Sequence, residues 1–224
     1  MKISVIGTGK TGSKVVEMLG EKLAYTFDES NPPTLKKLQE SDGVIIFVPG
    51  DAVPDILPIV LESGIPSAWG STGFEWANDL DEQVKNAQTK WVLATNFSLG
   101  MNVIRNAIEK ISKGSEILKD PTFKIHEVHH IHKKDAPSGT ALSWKQWLNK
   151  EVEITSEREG DVNGIHELKI TTDTEEITLS HNALDRGLFA EGSIWAIEQL
   201  IENKNLTNGM YTFGQLFDLI TNKK

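Results

Sequence analysis

Cysteine is absent from the 224 residues of the sequence, so disulfide bonds and thiol chemistry are excluded. Apolar runs long enough to span a bilayer are also absent, and a strand pattern already begins at Lys2. We therefore expect no signal peptide and a cytoplasmic protein. Basic residues are the minority charge, and the net charge of −9 disfavours nucleic acid and anionic membranes as partners.

A glycine-rich loop follows the first predicted strand. Residues 2–6 are typical of a short buried strand, and a helical pattern runs from Ser13 to about Leu19. In this context the GxGxxG spacing predicts dinucleotide binding, because its glycines allow a tight turn, a close approach of the pyrophosphate and close helix packing. The predicted cofactor contacts in the loop are Gly7, Thr8, Gly9, Lys10, Thr11 and Gly12.

An acidic residue follows the second predicted strand, residues 23–27. This residue, Asp28, lies where a carboxylate can bind the ribose 2′-hydroxyl of the cofactor. No lysine or arginine occurs in residues 24–34, so a 2′-phosphate would face Asp28 and Glu29 without a counter-charge. The sequence therefore predicts that NADH is preferred over NADPH, with Lys10 as the residue best placed to bind a phosphate.

The rest of the N-terminal half alternates between strand and helix patterns. Strands are predicted at 43–48, 67–69 and 91–94, with helices at 52–62 and 75–87. This alternation predicts a parallel, doubly wound α/β sheet of the Rossmann type. Ligands bind beyond the carboxyl ends of such strands, so two junctions are predicted to contact the nicotinamide half, although turn chemistry alone would also explain either one. Their residues are Gly70, Ser71 and Thr72, and Ala94, Thr95, Asn96 and Phe97.

A segment in the middle of the chain concentrates ionisable side chains. The period-2 pattern of residues 123–129 predicts a strand with Glu127 and His129 on one face, and a cationic loop follows at 130–134. An imidazole titrates near neutral pH, and burial or neighbouring cations can bring a lysine toward it. His129 and Lys133 are therefore candidates for proton transfer.

A helix is predicted directly after this loop, from Thr140 to Leu148. The backbone N–H groups of Gly139 and Thr140 would lack acceptors within the helix, and the hydroxyls of Ser138 and Thr140 lie beside them. Such a helix start can bind a carboxylate or a phosphate, with Lys133 as the opposing charge. The segment therefore predicts a site for a small anionic substrate.

Four histidines, at positions 126, 129, 130 and 132, could instead ligate a metal or form a solvated turn. Zinc sites usually recruit cysteine or a dedicated carboxylate in a tetrahedral set. Here there is no cysteine, and the histidines alternate between the faces of a strand. We therefore predict catalysis and no metal at this segment.

The composition changes after Ser98, where an amphipathic helix pattern at 101–113 begins. Residues 151–185 are polar and strand-like, which suits an antiparallel sheet with one solvated face. A strong helix pattern follows at 188–201. The first domain is therefore expected to end near Ser98.

The segment from His126 to Ala141 closely resembles the signature of the dihydrodipicolinate reductase family of lysine and diaminopimelate biosynthesis. Further similarities extend over most of the chain. They comprise the glycine loop, residues 70–74, 94–98 and 158–160, His181, Arg186 and residues 189–192.

The resemblance implies a Rossmann domain, residues 1–98 plus 186–224, closed by C-terminal helices. It also implies a second α+β domain, residues 99–185, with a mixed sheet that binds substrate and builds a homotetramer. The implied reaction is the NAD(P)H-dependent reduction of 4-hydroxy-tetrahydrodipicolinate with loss of water. By position in the motif, the proton-transfer pair is His129 and Lys133, and the residues that hold the dicarboxylate are His130, Lys133, Ser138, Gly139 and Thr140.

Two other functions remain open at this point. One is the reduction of a different cyclic imine or keto acid, and the other is a catalytically idle NAD-binding sensor. The Rossmann fold hosts many functions and does not separate them. The retained set of His129, Lys133 and Ser138 argues against the sensor, which could lose its proton-transfer groups and keep its glycines.

Overall fold

The structure is a computed structural model and describes residues 1–222. It divides into two compact units, one formed by Met1–Leu99 with the chain from Gly187 onward, and one formed by Gly100–Arg186. Among the described residues, no helix combines the length and the apolar character that crossing a membrane requires.

Ten strands and eight α-helices make up the described part of the chain. The strands are β1 (Ile3–Ile6), β2 (Leu23–Phe27), β3 (Gly43–Ile46), β4 (Ser67–Trp69), β5 (Lys90–Leu93), β6 (Thr122–His129), β7 (Glu153–Arg158), β8 (Ile165–Thr171), β9 (Glu176–Asn182) and β10 (Gly209–Thr212). The helices are α1 (Gly12–Leu19), α2 (Leu35–Gln39), α3 (Val53–Ser63), α4 (Leu80–Asn86), α5 (Leu99–Gly114), α6 (Gly139–Leu148), α7 (Gly187–Glu202) and α8 (Phe213–Thr221).

The first unit is built on a six-stranded parallel sheet with the order β10-β5-β4-β3-β1-β2. Side chains along its central strands alternate between two apolar layers. Val5 and Ile45 pack into one layer with α7, whereas Ile6 and Ile46 pack into the other. Burial on both faces is typical of parallel sheets covered by helices. The prediction of a Rossmann-type, doubly wound sheet is confirmed.

The second unit contains a four-stranded sheet with the order β7-β6-β8-β9. Two of its strand pairs are antiparallel, but β6 and β7 are parallel. A parallel pair needs a crossover connection, which α6 supplies between these two strands. The mixed sheet implied by the family resemblance is confirmed. The antiparallel pairing suggested by the polar pattern of residues 151–185 holds for β8 with β9, whereas β7 joins the sheet through a parallel pair with β6.

One sheet face of the second unit packs on helices. Ile125 and Leu168, from β6 and β8, join a core with Ile108 of α5 and with Trp144 and Leu148 of α6. Since side chains alternate along a strand, Glu127 and His129 point to the same side of β6 as Ile125. The ionisable end of β6 therefore lies on the helix-covered face and is buried.

Candidate functional site

The glycine loop joins β1 to α1 and has little room for side chains. Gly7 has a φ of +90°, and a Cβ on Gly12 would lie 1.8 Å from the Gly7 carbonyl oxygen. Around Gly9, in contrast, no atom would lie within 4 Å of an added Cβ. The Ser13 N–H donates to the Gly9 carbonyl, so a helical turn already begins at Gly9 and directs its first N–H groups outward. This geometry fits a pyrophosphate.

The carboxylate of Asp28 is held at the carboxyl end of β2, beside the glycine loop. Its Oδ1 accepts hydrogen bonds from the hydroxyl and N–H of Ser30 and from the N–H of Asn31. The side-chain bond from Ser30, followed by the backbone bonds, lowers the pKa of Asp28. Gly7 donates to the Phe27 carbonyl at 2.8 Å, which ties the glycine loop to the strand that carries Asp28. An ionised, fixed carboxylate suits the binding of a ribose hydroxyl.

The two other predicted cofactor junctions follow β4 and β5 at the same sheet edge. Gly70 donates to the Ile46 carbonyl and Ala94 donates to the Trp69 carbonyl, so both junctions stay anchored to neighbouring strands. The Ser71 hydroxyl is buried and has no hydrogen-bond partner among the described residues. A buried, unpaired hydroxyl is expected to bind a ligand or a water.

The second of these junctions is fixed by close packing within the first unit. The Phe97 ring contacts Phe47 and Phe213 edge to face, at centroid distances of 5.9 and 5.0 Å. A Cβ on Gly192 of α7 would lie 1.6 Å from the Phe97 carbonyl oxygen. The Phe97 side chain therefore belongs to the core. A cofactor at this position could contact only the backbone.

Three buried ionisable side chains meet on the helix-covered face of the second sheet. Glu127 and His129 lie on β6, and His166 lies directly opposite Glu127 on β8. Oε2 of Glu127 is 3.1 Å from His129 Nδ1 and 3.7 Å from His166 Nε2. The two imidazole rings meet edge to face with centroids 5.0 Å apart.

Oε1, the second oxygen of Glu127, organises the loop that follows β6. It accepts the N–H of Ser138 at 2.9 Å and the Nη2–H of Arg158 at 3.2 Å. Arg158 also donates to the carbonyls of Lys133 and Asp135. One carboxylate and one guanidinium thus connect the end of β6, the loop and the start of α6.

Hydrogen bonds determine the charge of Glu127, whereas burial determines that of the histidines. Burial disfavours the carboxylate, but hydrogen bonds from Ser138, Ser156 and Arg158 outweigh it and lower the pKa of Glu127 to about 2. Burial lowers the pKa of His129, and burial together with the nearby His129 lowers the pKa of His166 to about 4. At neutral pH the carboxylate is ionised and both rings are neutral.

Lys133, the cation of the predicted anion site, already pairs with a carboxylate of the protein. Lys133 Nζ lies 2.8 Å from Asp135 Oδ1. The hydrogen bond from Lys133, with a smaller contribution from the Gly139 N–H, lowers the pKa of Asp135. Ser138 is the N-cap of α6: its hydroxyl accepts the Ala141 N–H and lies 3.2 Å from His166 Nε2. The helix start and Lys133 therefore can bind a carboxylate.

A family model described as the C-terminus of dihydrodipicolinate reductase matches residues 100–217. The chain belongs to the dihydrodipicolinate reductase family. A 4-hydroxy-tetrahydrodipicolinate reductase from Bdellovibrio bacteriovorus is 33% identical over 216 residues, which cover 91% of this chain and 92% of that relative. The relative of the same name from Methanospirillum hungatei is 34% identical over 182 residues, 70% of this chain and 69% of its own.

A solved structure of a dipicolinate-bound dihydrodipicolinate reductase from Paenisporosarcina sp. TG-14 has the same fold. Its TM-score is 0.71 at 18% identity, over 95% of this chain and 97% of that one. With the family established by sequence, the chain is an oxidoreductase that uses a nicotinamide cofactor. The six-stranded parallel sheet carries the glycine loop expected to bind it.

The residues predicted for the reductase site lie in two groups. The cofactor residues, from Gly7 to Phe97, share one edge of the first sheet. In the second unit, His129 lies at the end of β6 and His130 in the turn after it, followed by Lys133, whereas Ser138, Gly139 and Thr140 begin α6. His130 Nδ1 is buried and has no hydrogen-bond partner among the described residues.

Sequence reasoning missed Glu127 and His166 as members of this site. The period-2 pattern placed Glu127 beside His129, and this was the available signal for its role. His166 comes from β8, and only the register of β6 with β8 brings it opposite Glu127. Arg158 was noticed as part of the resemblance, but its contact with Glu127 Oε1 depends on the parallel pairing of β6 with β7.

We expect the reductase to lose stability as the pH falls from about 6.5 to about 4. The pKa of His166 is lower in the folded chain than its ordinary value of 6.5, so the unfolded chain binds a proton first. The contribution of His166 is complete above pH 6.5, and about 3 kcal/mol of it is lost by pH 4. Burial also lowers the pKa of His129 and of His181, so these two histidines add losses in the same direction. Thermal unfolding across this range measures it.

A His166→Gln variant should show a flatter dependence of the melting temperature on pH in this window. The lowered pKa of Glu127 also costs stability as the pH falls, but at lower pH, between its ordinary value of 4.5 and about 2. The loss below pH 4 should therefore remain in the His166→Gln variant and serve as an internal comparison. An equally steep loss between pH 6.5 and 4 in the variant would contradict the assignment to His166.

Proposed function

We propose that the chain reduces 4-hydroxy-tetrahydrodipicolinate to tetrahydrodipicolinate, with release of water, in the diaminopimelate route to lysine. The observation that carries the proposal is the buried arrangement of His129 with Glu127, beside a lysine that already pairs with a carboxylate and a helix start whose first N–H groups can bind another. It lies within the segment matched by the family model. A dicarboxylate substrate requires cationic and N–H donors next to a proton-transfer group, and this unit has both.

In this proposal the glycine loop holds the cofactor pyrophosphate and Asp28 holds a ribose hydroxyl. The bound nicotinamide supplies the hydride. Lys133 and the first N–H groups of α6 bind a substrate carboxylate, together with His130, Ser138 and Thr140.

Reduction also requires a proton, which we assign to the pair of His129 and Lys133. Glu127 faces Nδ1 of His129 and leaves Nε2 of the ring for exchange with the substrate. Because the ring is neutral in the free chain, it needs a gain in proton affinity before it can donate. A bound dianionic substrate provides that gain, and Glu127 stabilises the imidazolium that forms.

A coupled assay tests the activity. Fresh product of dihydrodipicolinate synthase is supplied to the purified chain, and the absorbance of NADH or NADPH is followed with and without pyridine-2,6-dicarboxylate. Turnover that the planar dicarboxylate blocks supports the proposal. Tight binding of NADH with no turnover would instead support the sensor or a reductase of another cyclic imine or keto acid.

We further propose NADH as the preferred cofactor. A 2′-phosphate would approach the ionised, fixed carboxylate of Asp28, and the repulsion of like charges is expected to raise KM for NADPH by roughly tenfold or more. Steady-state kinetics with both cofactors at low and high salt measures the difference, which screening should reduce.

The matched variants for this prediction are Asp28→Asn and Glu29→Gln. The first should narrow the gap between the cofactors, and the second should change it little. A clear advantage of NADPH in kcat/KM for the unchanged chain would contradict the proposal. It would indicate that Lys10 binds the 2′-phosphate.

We also propose a homotetramer assembled through the second unit, whose outer strand β9 is largely exposed. Light scattering coupled to gel filtration measures the assembly. A monomer at micromolar concentration would contradict the proposal.

A further inference from the structure

Three potential metal ligands lie on one face of the second sheet, in a part of the molecule where sequence reasoning predicted none. The prediction weighed only the histidines between positions 126 and 132. The set in the structure combines Glu127 and His129, two residues apart on β6, with His166 of β8. The β6–β8 register holds the three side chains together, so no loop has to fold around an ion.

The spacing of the ligand atoms suits a small transition-metal ion. Bonds of about 2.1 Å in a tetrahedral set separate the ligand atoms by roughly 3.4 Å. Glu127 Oε2 lies 3.1 Å from His129 Nδ1 and 3.7 Å from His166 Nε2, and all three ligand atoms lie within 4.8 Å of one another. A closing movement of the two rings would complete the geometry.

Two of these atoms are buried and have no hydrogen-bond partner. Glu127 Oε2 and His129 Nδ1 face each other without hydrogen-bond alignment, in side chains that are 0% and 8% exposed. Buried polar atoms without partners are uncommon, and an unseen ion or water is one of their ordinary explanations. The other carboxylate oxygen is fixed by Arg158 and the Ser138 N–H, as outer-sphere contacts fix a metal-ligating carboxylate.

The charges around the cluster limit how tightly it binds a cation. One carboxylate and two neutral imidazoles form the set found at many zinc sites. The guanidinium of Arg158 contacts the same carboxylate, and the ammonium of Lys133 contributes to the positive potential at His129. These cations oppose a divalent ion, which favours a reversible inhibitor over a permanently bound metal.

We propose that Glu127, His129 and His166 form an inhibitory site for Zn²⁺ and chemically similar ions. Ligation through Nδ1 fixes the His129 ring and occupies the Nδ1 lone pair. With Nδ1 on the metal, the ring cannot take up a second proton and become an imidazolium, so Nε2 cannot donate the proton that the reduction requires. The binding site follows from the cluster alone, whereas the inhibition rests on the proposed function.

Direct binding tests the site without substrate or cofactor. Zn²⁺ is titrated into the purified chain by calorimetry, and Co²⁺ is titrated in parallel to obtain its visible ligand-field spectrum. We expect one metal per chain and a Co²⁺ spectrum of low coordination number. His166→Gln should weaken binding by roughly 100-fold or more, since even changes in outer-sphere partners cost 10- to 100-fold.

The matched control is His126→Gln, which alters a histidine of the same strand on the opposite face. This variant should bind Zn²⁺ as the unchanged chain does. If His166→Gln does not fold, as judged by its thermal transition, His129→Gln serves as the second variant. Unaltered Zn²⁺ binding in a folded variant, or no saturable binding to the unchanged chain, would overturn the site.

Inhibition is measured separately in the coupled reductase assay. Zn²⁺ should abolish turnover at the concentrations that saturate the calorimetric site, and EDTA should restore it. Full turnover with the site saturated would overturn the inhibitory role. Zinc binding in a chain without any reductase turnover would leave the site standing and count against the proposed function.

Discussion

Replacing His129 by Gln is expected to lower kcat by about 100-fold or more. Glutamine keeps a polar side chain at the end of β6 but cannot carry a proton to the substrate. General acid catalysis by a positioned side chain contributes typically 10² to 10⁴ in rate. Steady-state and single-turnover kinetics with saturating cofactor measure the effect, and Lys133→Ala tests the second member of the pair.

His126→Gln is the control for this comparison, because it changes a half-buried histidine of the same strand that is bonded to Thr155 on the other face. Its kcat should remain near that of the unchanged chain. For the active-site variants, a change in kcat indicates a role in proton transfer, and a change in KM alone indicates a role in substrate binding. A raised KM with an unchanged kcat in His129→Gln would assign His129 to binding and contradict a role in proton transfer.

Replacing Glu127 by Ala is expected to destabilise the second unit by about 3 kcal/mol. The variant leaves the Arg158 guanidinium and the Ser138 N–H without their carboxylate acceptor in a buried site. Removal of one partner of a buried ion pair costs about 3–5 kcal/mol. The lower figure applies because the Arg158 side chain is 20% exposed and keeps carbonyl acceptors.

The expected fall in melting temperature is roughly 6 to 12 °C for a chain of this size. Glu153→Ala provides the comparison: this exposed carboxylate on neighbouring β7 lies 3.7 Å from Lys124. Exposed ion pairs contribute about 0–1 kcal/mol. Equal melting temperatures for Glu127→Ala and Glu153→Ala would show that the buried carboxylate does not organise the loop.

The elements predicted correctly from the sequence were those that are specified by residues close together in the chain. The glycine loop is an example, because its place between β1 and α1 follows from spacing within six residues. Helix α4 was predicted to begin at residue 75 but begins at Leu80. Trp76 instead packs edge to face on Trp69 and Phe74, and this tertiary contact takes the chain out of the helical pattern.

The parts of the site that could not be predicted depend on strand register. Glu127 and His166 are 39 positions apart, and no local pattern specifies that β8 places one opposite the other. A shift of a single residue would have turned His166 to the opposite face of the sheet. The Lys133–Asp135 contact, in contrast, lies within three residues, and its opposite charges were visible in the sequence.

That contact makes substrate binding an exchange of counter-ions. In the free chain, Asp135 neutralises Lys133, so the loop is not left with an unscreened cation. An incoming carboxylate therefore replaces Asp135 as the partner of Lys133, and Asp135, whose side chain is already 56% exposed, becomes fully solvated. We expect affinity to depend on the difference between two similar ion pairs, and KM to respond only weakly to ionic strength. A site built in this way releases an anionic product as readily as it admits an anionic substrate.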